Sequence, residues 1–156
     1  LAESPGLAFY KAQEATKTIL PTQGTVLISV SEREHAELPE VARAFSDVGF
    51  KILATAGTHE FLAAQGVESE RIKKLHEGRP NIRDAITNGE IQLVINTPIG
   101  KLSKHDDSYL RKEAIRHGIP YVTTMAAAKA TANGIAAFKD ASVELKSLHQ
   151  RHADIG

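Results

Sequence analysis

The chain has 156 residues, in which 19 basic side chains balance 19 acidic ones and aromatics make up 5%, so no net positive field recruits nucleic acid and few rings are available to stack on bases. Cysteine is absent, which excludes thiol nucleophiles, disulfides and Cys-built zinc sites. No apolar run approaches the ~20 residues of a membrane span, and the start, LAESPGLAFYK, lacks the basic-then-apolar order of a secretory signal.

The expectation is a cytoplasmic protein with one globular domain, and an anion partner no larger than a phosphorylated metabolite. Residues 1–23 differ from the rest of the chain, with Pro5-Gly6 early and Pro21 late around a helical stretch over 8–19. They read as a linker carrying one helix that leads into a domain over 24–156. The first strand is TVLISV, 25–30, an apolar run of the kind a central parallel strand needs. After an acidic stretch, Leu38, Val41, Ala42 and Phe45 keep a helical 3/4 spacing, with Pro39 tolerable in the first turn and Gly49 ending the helix.

The second strand runs over 51–55 and stops at a Thr-rich turn in KILATAGT, where Thr55 and Gly57 form the turn and Thr58 is placed as N-cap of a short helix closed by Gly66. Free N–H groups at a helix start, beside two Thr hydroxyls, suit a phosphate or carboxylate. A third strand is expected over 71–75, followed by the loop His76-Glu77-Gly78-Arg79-Pro80. Asn81 then caps a helix over 82–87 that Asn88-Gly89 stops. The fourth strand, 92–96, ends in Asn96-Thr97-Pro98. A polar loop over 100–107 precedes a helix capped by Asp107 or Ser108 and ended by Gly118, and the fifth strand spans 120–123. A small-residue helix starts near Thr124, and a separate amphipathic stretch over 143–149 closes the chain.

Alternating strands and helices at this spacing predict an α/β, three-layer, Rossmann-like fold: a five-stranded, mainly parallel sheet with helices on both faces. Ligands of such folds gather outside the C-terminal strand ends. Those ends carry Ser29 and Ser31, Thr55 with Gly57 and Thr58, Lys74, Asn96 with Thr97, and Thr123 with Thr124. Lys74 offers the point charge that backbone N–H groups lack, and Asn96 and Thr97 can hydrogen-bond a sugar or base edge. Each also has a plain structural alternative: a helix cap, a surface lysine, a strand-end amide. His105-Asp106-Asp107 has no further ligand at helical spacing to complete a metal or acid/base site. The His149-Gln150-Arg151-His152 tail reads as a frayed helix end. Neither a P-loop nor a G-x-G-x-x-G run is present.

From Gly24 onward the chain resembles the methylglyoxal-synthase-like domain, and in particular the C-terminal allosteric domain of carbamoyl phosphate synthetase large subunits. TVLISVSE, GFKILATAGT, KKLHEGRPNIRDAITNGEIQLVINT and GIPYVTTMAAAKA carry the resemblance. GLAFYKAQEA through LP is similar to the segment that joins the second synthetase unit to that domain. The resemblance implies a regulatory domain that binds a nucleotide effector, UMP or IMP, within a glutamine-hydrolysing ligase serving pyrimidine and arginine biosynthesis. It implies no catalytic residue, metal or cofactor here, ATP with Mg or Mn belonging to the synthetase units. The implied partners are those units, the glutaminase small subunit and homo-oligomer contacts.

Family effector contacts fall on Ser29, Thr55, Gly57, Thr58, Lys74, Asn96 and Thr97. A family Tyr near an ornithine site matches Tyr121, with Thr123 close by. Two positions depart from the pattern: a lysine that holds the effector phosphate in some relatives falls on His35, and a Thr falls on Pro98. A His carries full charge only below about pH 6.5. Two alternatives stand beside this reading. In a methylglyoxal synthase acting on dihydroxyacetone phosphate, His105-Asp106 would match a His-Asp pair, but the catalytic Asp position is Arg79, whose guanidinium accepts no proton at neutral pH. In an oligomerisation module without a ligand, the small-residue helix over 126–137 and the terminal helix would supply the contact.

Overall fold

The computed structural model describes residues 20–97 and 104–155, with the side chains of 76, 104–106 and 142–155 excepted. The expected helix over 8–19 and Pro98 lie outside the described residues, as do the side chains of His76, His105 and Asp106. Five strands form one parallel sheet in the order β3-β2-β1-β4-β5. They are β1 (Gly24–Ser29), β2 (Phe50–Ala54), β3 (Glu70–Arg71), β4 (Leu93–Asn96) and β5 (Tyr121–Val122). Five α-helices accompany them: α1 (Leu38–Asp47), α2 (Ala56–Ala64), α3 (Ile82–Thr87), α4 (Lys104–Arg116) and α5 (Met125–Ile155).

The central strands are mainly apolar because the sheet is covered on both faces. Val26 pairs with Ile52 on one side and Leu93 on the other, and these three point to the same face. There Val26, Ile28, Ile52, Ala54, Leu93 and Ile95 meet Leu38, Val41, Ala42 and Phe45 of α1, Leu62 of α2, and Met125, Ala128, Ala132 and Ile135 of α5. The alternate residues Leu27, Leu53 and Val94 turn to the other face, onto Ile82, Ala85 and Ile86 of α3 and Leu110 and Ala114 of α4. Each fully buried Leu, Ile or Val contributes roughly 1.5–3 kcal/mol relative to an exposed one.

Several helix ends follow from single residues. α1 turns into β2 at Gly49, whose φ of +98° suits glycine, while the Lys139 ammonium of α5 donates to the Val48 carbonyl at the end of α1. Asn81 caps α3 as its sequence suggests: its Oδ1 accepts the Arg83 N–H at 2.9 Å, and the Asp84 carboxylate accepts the Asn81 N–H at 2.8 Å. Thr124 caps α5, accepting the Ala127 N–H at 3.1 Å.

Elsewhere the structure corrects the sequence reading. The N-cap of α2 is Thr55, not Thr58, and Gly57 is the second residue of that helix rather than part of a turn. The third strand is two residues, Glu70–Arg71. After it the chain makes one bridge, Lys73 to Asn81, and a 3-10 turn over Leu75–Glu77, because the Lys73 carbonyl accepts the Ile82 N–H instead of a strand neighbour's. The stretch 104–107, expected in a loop, already belongs to α4, so Asp107 and Ser108 are inside the helix. α5 is a single helix of 31 residues, where two segments were expected; its Ala-rich sequence carries it through Asn133-Gly134.

Candidate functional site

The C-terminal ends of β1, β2 and β4 lie side by side, since Ile28 pairs with Ala54 and Ser29 with Asn96. A web of buried side-chain hydrogen bonds ties the segments leaving them. Thr55 Oγ1 donates to Ser29 Oγ at 3.1 Å. Thr58 Oγ1 accepts the Val30 N–H at 3.2 Å, and Thr97 Oγ1 accepts the Ser31 N–H at 2.9 Å. The chain leaving β1 is thus held from the α2 side and from the β4 side at consecutive residues. Each of these two hydroxyls accepts a backbone N–H and keeps its own hydrogen to donate. Ser29 likewise accepts from Thr55 and keeps its O–H.

Thr55 stands at the N-cap of α2 but forms no side-chain cap bond, its hydroxyl being committed to Ser29. The N–H groups of Ala56, Gly57 and Thr58 have no intrahelical acceptor by position, and no other acceptor binds them among the described residues. The helix start therefore retains a set of donors and the positive end of its dipole. A Cβ built on Gly57 would meet no atom within 4 Å, so the space beside this turn is open.

A small crevice, partly open to solvent, lies at these strand ends. Ser29, Lys74, Asn96 and Asp107 supply its polar lining, and Leu75, Ile82, Leu110 and the ring of Tyr109 its apolar wall. Lys74 opens the 3-10 turn, its N–H donating to Glu77 Oε1 at 2.7 Å; its ammonium has no carboxylate partner among the described residues. Asn96 is 2% exposed, and its amide nitrogen donates to Asp107 Oδ1 at 3.0 Å and to the Tyr121 hydroxyl at 2.7 Å. Burial pushes the Tyr121 phenol above its ordinary range; the hydrogen bond with Asn96 opposes that shift, the Asp107 carboxylate adds to it, and Arg111 counters it.

Of the residues expected from the sequence, Ser29, Lys74 and Asn96 line one crevice. Thr55, Thr58 and Thr97 are buried beside it, at 3%, 2% and 3% exposure, as the hydroxyls of the loop web. Gly57 is exposed, and so is Thr123. Tyr121, expected toward an ornithine-side interface, is half-buried with its hydroxyl on Asn96. Leu75, Ile82, Tyr109 and Leu110 were not singled out from the sequence; the signal available was that each stands within a turn of an expected site residue or helix start. Asp107, weighed there only as a helix cap and as part of a His105-Asp106-Asp107 cluster, lines the crevice. His35 stacks on Phe61 with ring centroids 4.1 Å apart. The Arg79 guanidinium is bound to the Asp84 carboxylate at 2.5 Å.

Among the described residues no group of three or more His, Asp or Glu side chains is placed to hold a metal ion, and no helix is long and apolar enough to cross a membrane. A five-stranded parallel sheet covered by helices, with a crevice at its central strand ends, defines a Rossmann-like α/β domain. A model of the MGS-like domain matches residues 37–123, and the chain belongs to that family.

The chain is 46% identical over 143 residues to the carbamoyl phosphate synthase large chain, C-terminal section, of Aquifex aeolicus, covering 92% of this chain and 27% of that one. It is 45% identical over 152 residues to the carbamoyl phosphate synthase large chain of Methanobrevibacter smithii, and 41% identical over 150 residues to that of Methanothrix thermoacetophila. These alignments cover 97% and 96% of this chain and 14% of each relative. The chain thus spans well under a third of the length of these relatives.

Proposed function

We propose that this chain is the effector-binding regulatory domain of a carbamoyl phosphate synthase large chain and that its ligand is a nucleoside monophosphate. The effector phosphate rests against the first turn of α2, where Thr58 and Ser29 retain hydroxyl hydrogens, with Lys74 as the counter-charge. Asn96 and Thr97 hold the ribose or base, and Leu75, Ile82 and Leu110 give the base an apolar wall. The observation that carries this reading is the Lys74 ammonium, which has no carboxylate partner among the described residues and shares a crevice with Ser29 and Asn96.

In this reading the domain has no chemistry of its own. Regulation requires the effector to bind two states of the synthetase with different affinity, a coupling typically of ~1–3 kcal/mol. The synthetase units of the same polypeptide carry that coupling, and a glutaminase small subunit completes the parent enzyme. The paired Arg79 guanidinium, standing where the resemblance puts the catalytic carboxylate of the synthases, favours regulation over lyase chemistry.

Calorimetric titration with UMP, IMP and inorganic phosphate tests the proposal. The expected result is saturable binding of one nucleotide, weakened at least tenfold by Lys74→Ala. Binding of phosphate alone, binding indifferent to Lys74→Ala, or turnover of dihydroxyacetone phosphate would overturn it.

A further inference from the structure

On α4, Ser108, Arg111, Lys112, Ile115 and Arg116 follow the i, i+3, i+4, i+7, i+8 spacing of one helix face, and all five are exposed. Ile115 is the one large hydrophobic side chain exposed among the described residues, at 66%. It sits between Arg111 one turn before it, Lys112 three residues before it and Arg116 next to it. The opposite face of the helix is committed to the core through Leu110 and Ala114.

Among the described residues the charge on this face is only partly balanced. Arg111 and Lys112 have no carboxylate partner among the described residues. Arg116, 77% exposed, reaches Glu113 only at 3.8 Å, and Glu113 also faces His117 at 3.5 Å. Three cations around an exposed apolar knob, on a chain whose total charge is zero, form a local basic patch with an apolar centre. The small size of the patch and its isoleucine do not suit a nucleic-acid backbone. They suit a protein surface in which an apolar residue lies between carboxylates.

We propose that this face of α4 docks an acidic segment of the longer polypeptide to which the domain belongs. One apolar residue of that segment covers Ile115, and its carboxylates pair with Arg111, Lys112 and Arg116. The inference rests on the reading of the chain as one part of a larger synthase. Relatives of which this chain covers 14–27% leave ample polypeptide to supply the partner.

Because the chain has no cysteine, Ile115→Cys introduces a thiol whose alkylation by iodoacetamide can be followed by mass spectrometry of its peptide, in the 156-residue chain and in the parent enzyme. The expected result is alkylation at least tenfold slower in the parent, with the fast rate restored there by 1 M salt or by Lys112→Glu with Arg116→Glu. Equal rates in both proteins would overturn the proposal. So would protection of the isolated chain that grows with its concentration, which would assign the face to a second copy. Nucleotide titration of the same samples keeps the two readings apart. A protected thiol without nucleotide binding removes the effector and keeps the docking face, and nucleotide binding with an unprotected thiol does the reverse.

Discussion

Thr58 reaches back from the first turn of α2 to take the Val30 N–H at 3.2 Å, so the residue that the sequence suggests as a helix cap instead fastens the loop after β1. Thr97 does the same for Ser31 from the end of β4. Replacing either hydroxyl by a methyl of the same shape leaves a backbone N–H in this buried web unpaired, which costs roughly 1–3 kcal/mol. Thr58→Val and Thr97→Val are each expected to lower the urea midpoint accordingly, while Thr58→Ser keeps the bond and most of the stability. Unchanged midpoints in both valine variants would mean that the loop is not held by these bonds.

Gly57 separates stability from ligand binding. It is helical and its missing Cβ faces open space, so Gly57→Ala is expected to stabilise the domain by about 0.5–1 kcal/mol through the lower entropy of the unfolded chain. The added methyl occupies the space beside the free N–H groups, and nucleotide affinity should fall. Thermal unfolding and calorimetry on the same sample check both halves. A stabilised variant of undiminished affinity would place the phosphate away from this turn.

Asn96→Asp exchanges an amide donating to Asp107 and Tyr121 for a carboxylate 2% exposed and facing another carboxylate. Burial and the like charge both raise the pKa of the new group. Its folded form therefore prefers the proton, and the variant's stability is retained at low pH and lost as pH rises through the raised value. The expected penalty at pH 7 is on the order of 3 kcal/mol, shrinking on acidification. Denaturation curves at pH 5 and pH 7 that show the same loss would sink this account.

Asp84 gives the wild type an acid limit of the opposite sign. The Arg79 guanidinium, with help from the Asn81 N–H, holds its carboxyl below the ordinary value of 3.8. A depressed folded pKa contributes stability above the unfolded value, and that contribution disappears as pH falls through the folded one. Asp84→Asn should therefore be less stable than wild type at pH 7, and the gap should close below pH 3.8. A gap that is constant with pH would mean that the carboxylate's charge is irrelevant to the α3 cap.

The order of elements was legible because apolar runs and 3/4 spacings alternate without ambiguity, and the Asn81 cap could be read because its partner Asp84 is three residues away. The sequence was least informative where a hydroxyl had two possible partners. Thr55 and Thr58 are equally good caps by type, and only the neighbouring β1 loop decides that Thr58 turns outward to Val30. The third strand was overestimated because Ile72 keeps an apolar alternation past the point where Lys73 bonds to Ile82 across the chain. The charged start of α4 resembles a loop by composition, and its helical state depends on packing of the Leu110 and Ala114 face. The Asn96–Tyr121 bond joins residues 25 apart and has no local signature.

The two outer strands of the sheet, Glu70–Arg71 and Tyr121–Val122, are only two residues long. A long, flat border would offer a row of unpaired amides and carbonyls to any other extended chain. Here that template ends almost as soon as it begins, and on one border it carries a carboxylate and a guanidinium. Even when concentrated or freshly synthesised, the domain offers only short outer strands from which to grow its sheet sideways into an aggregate.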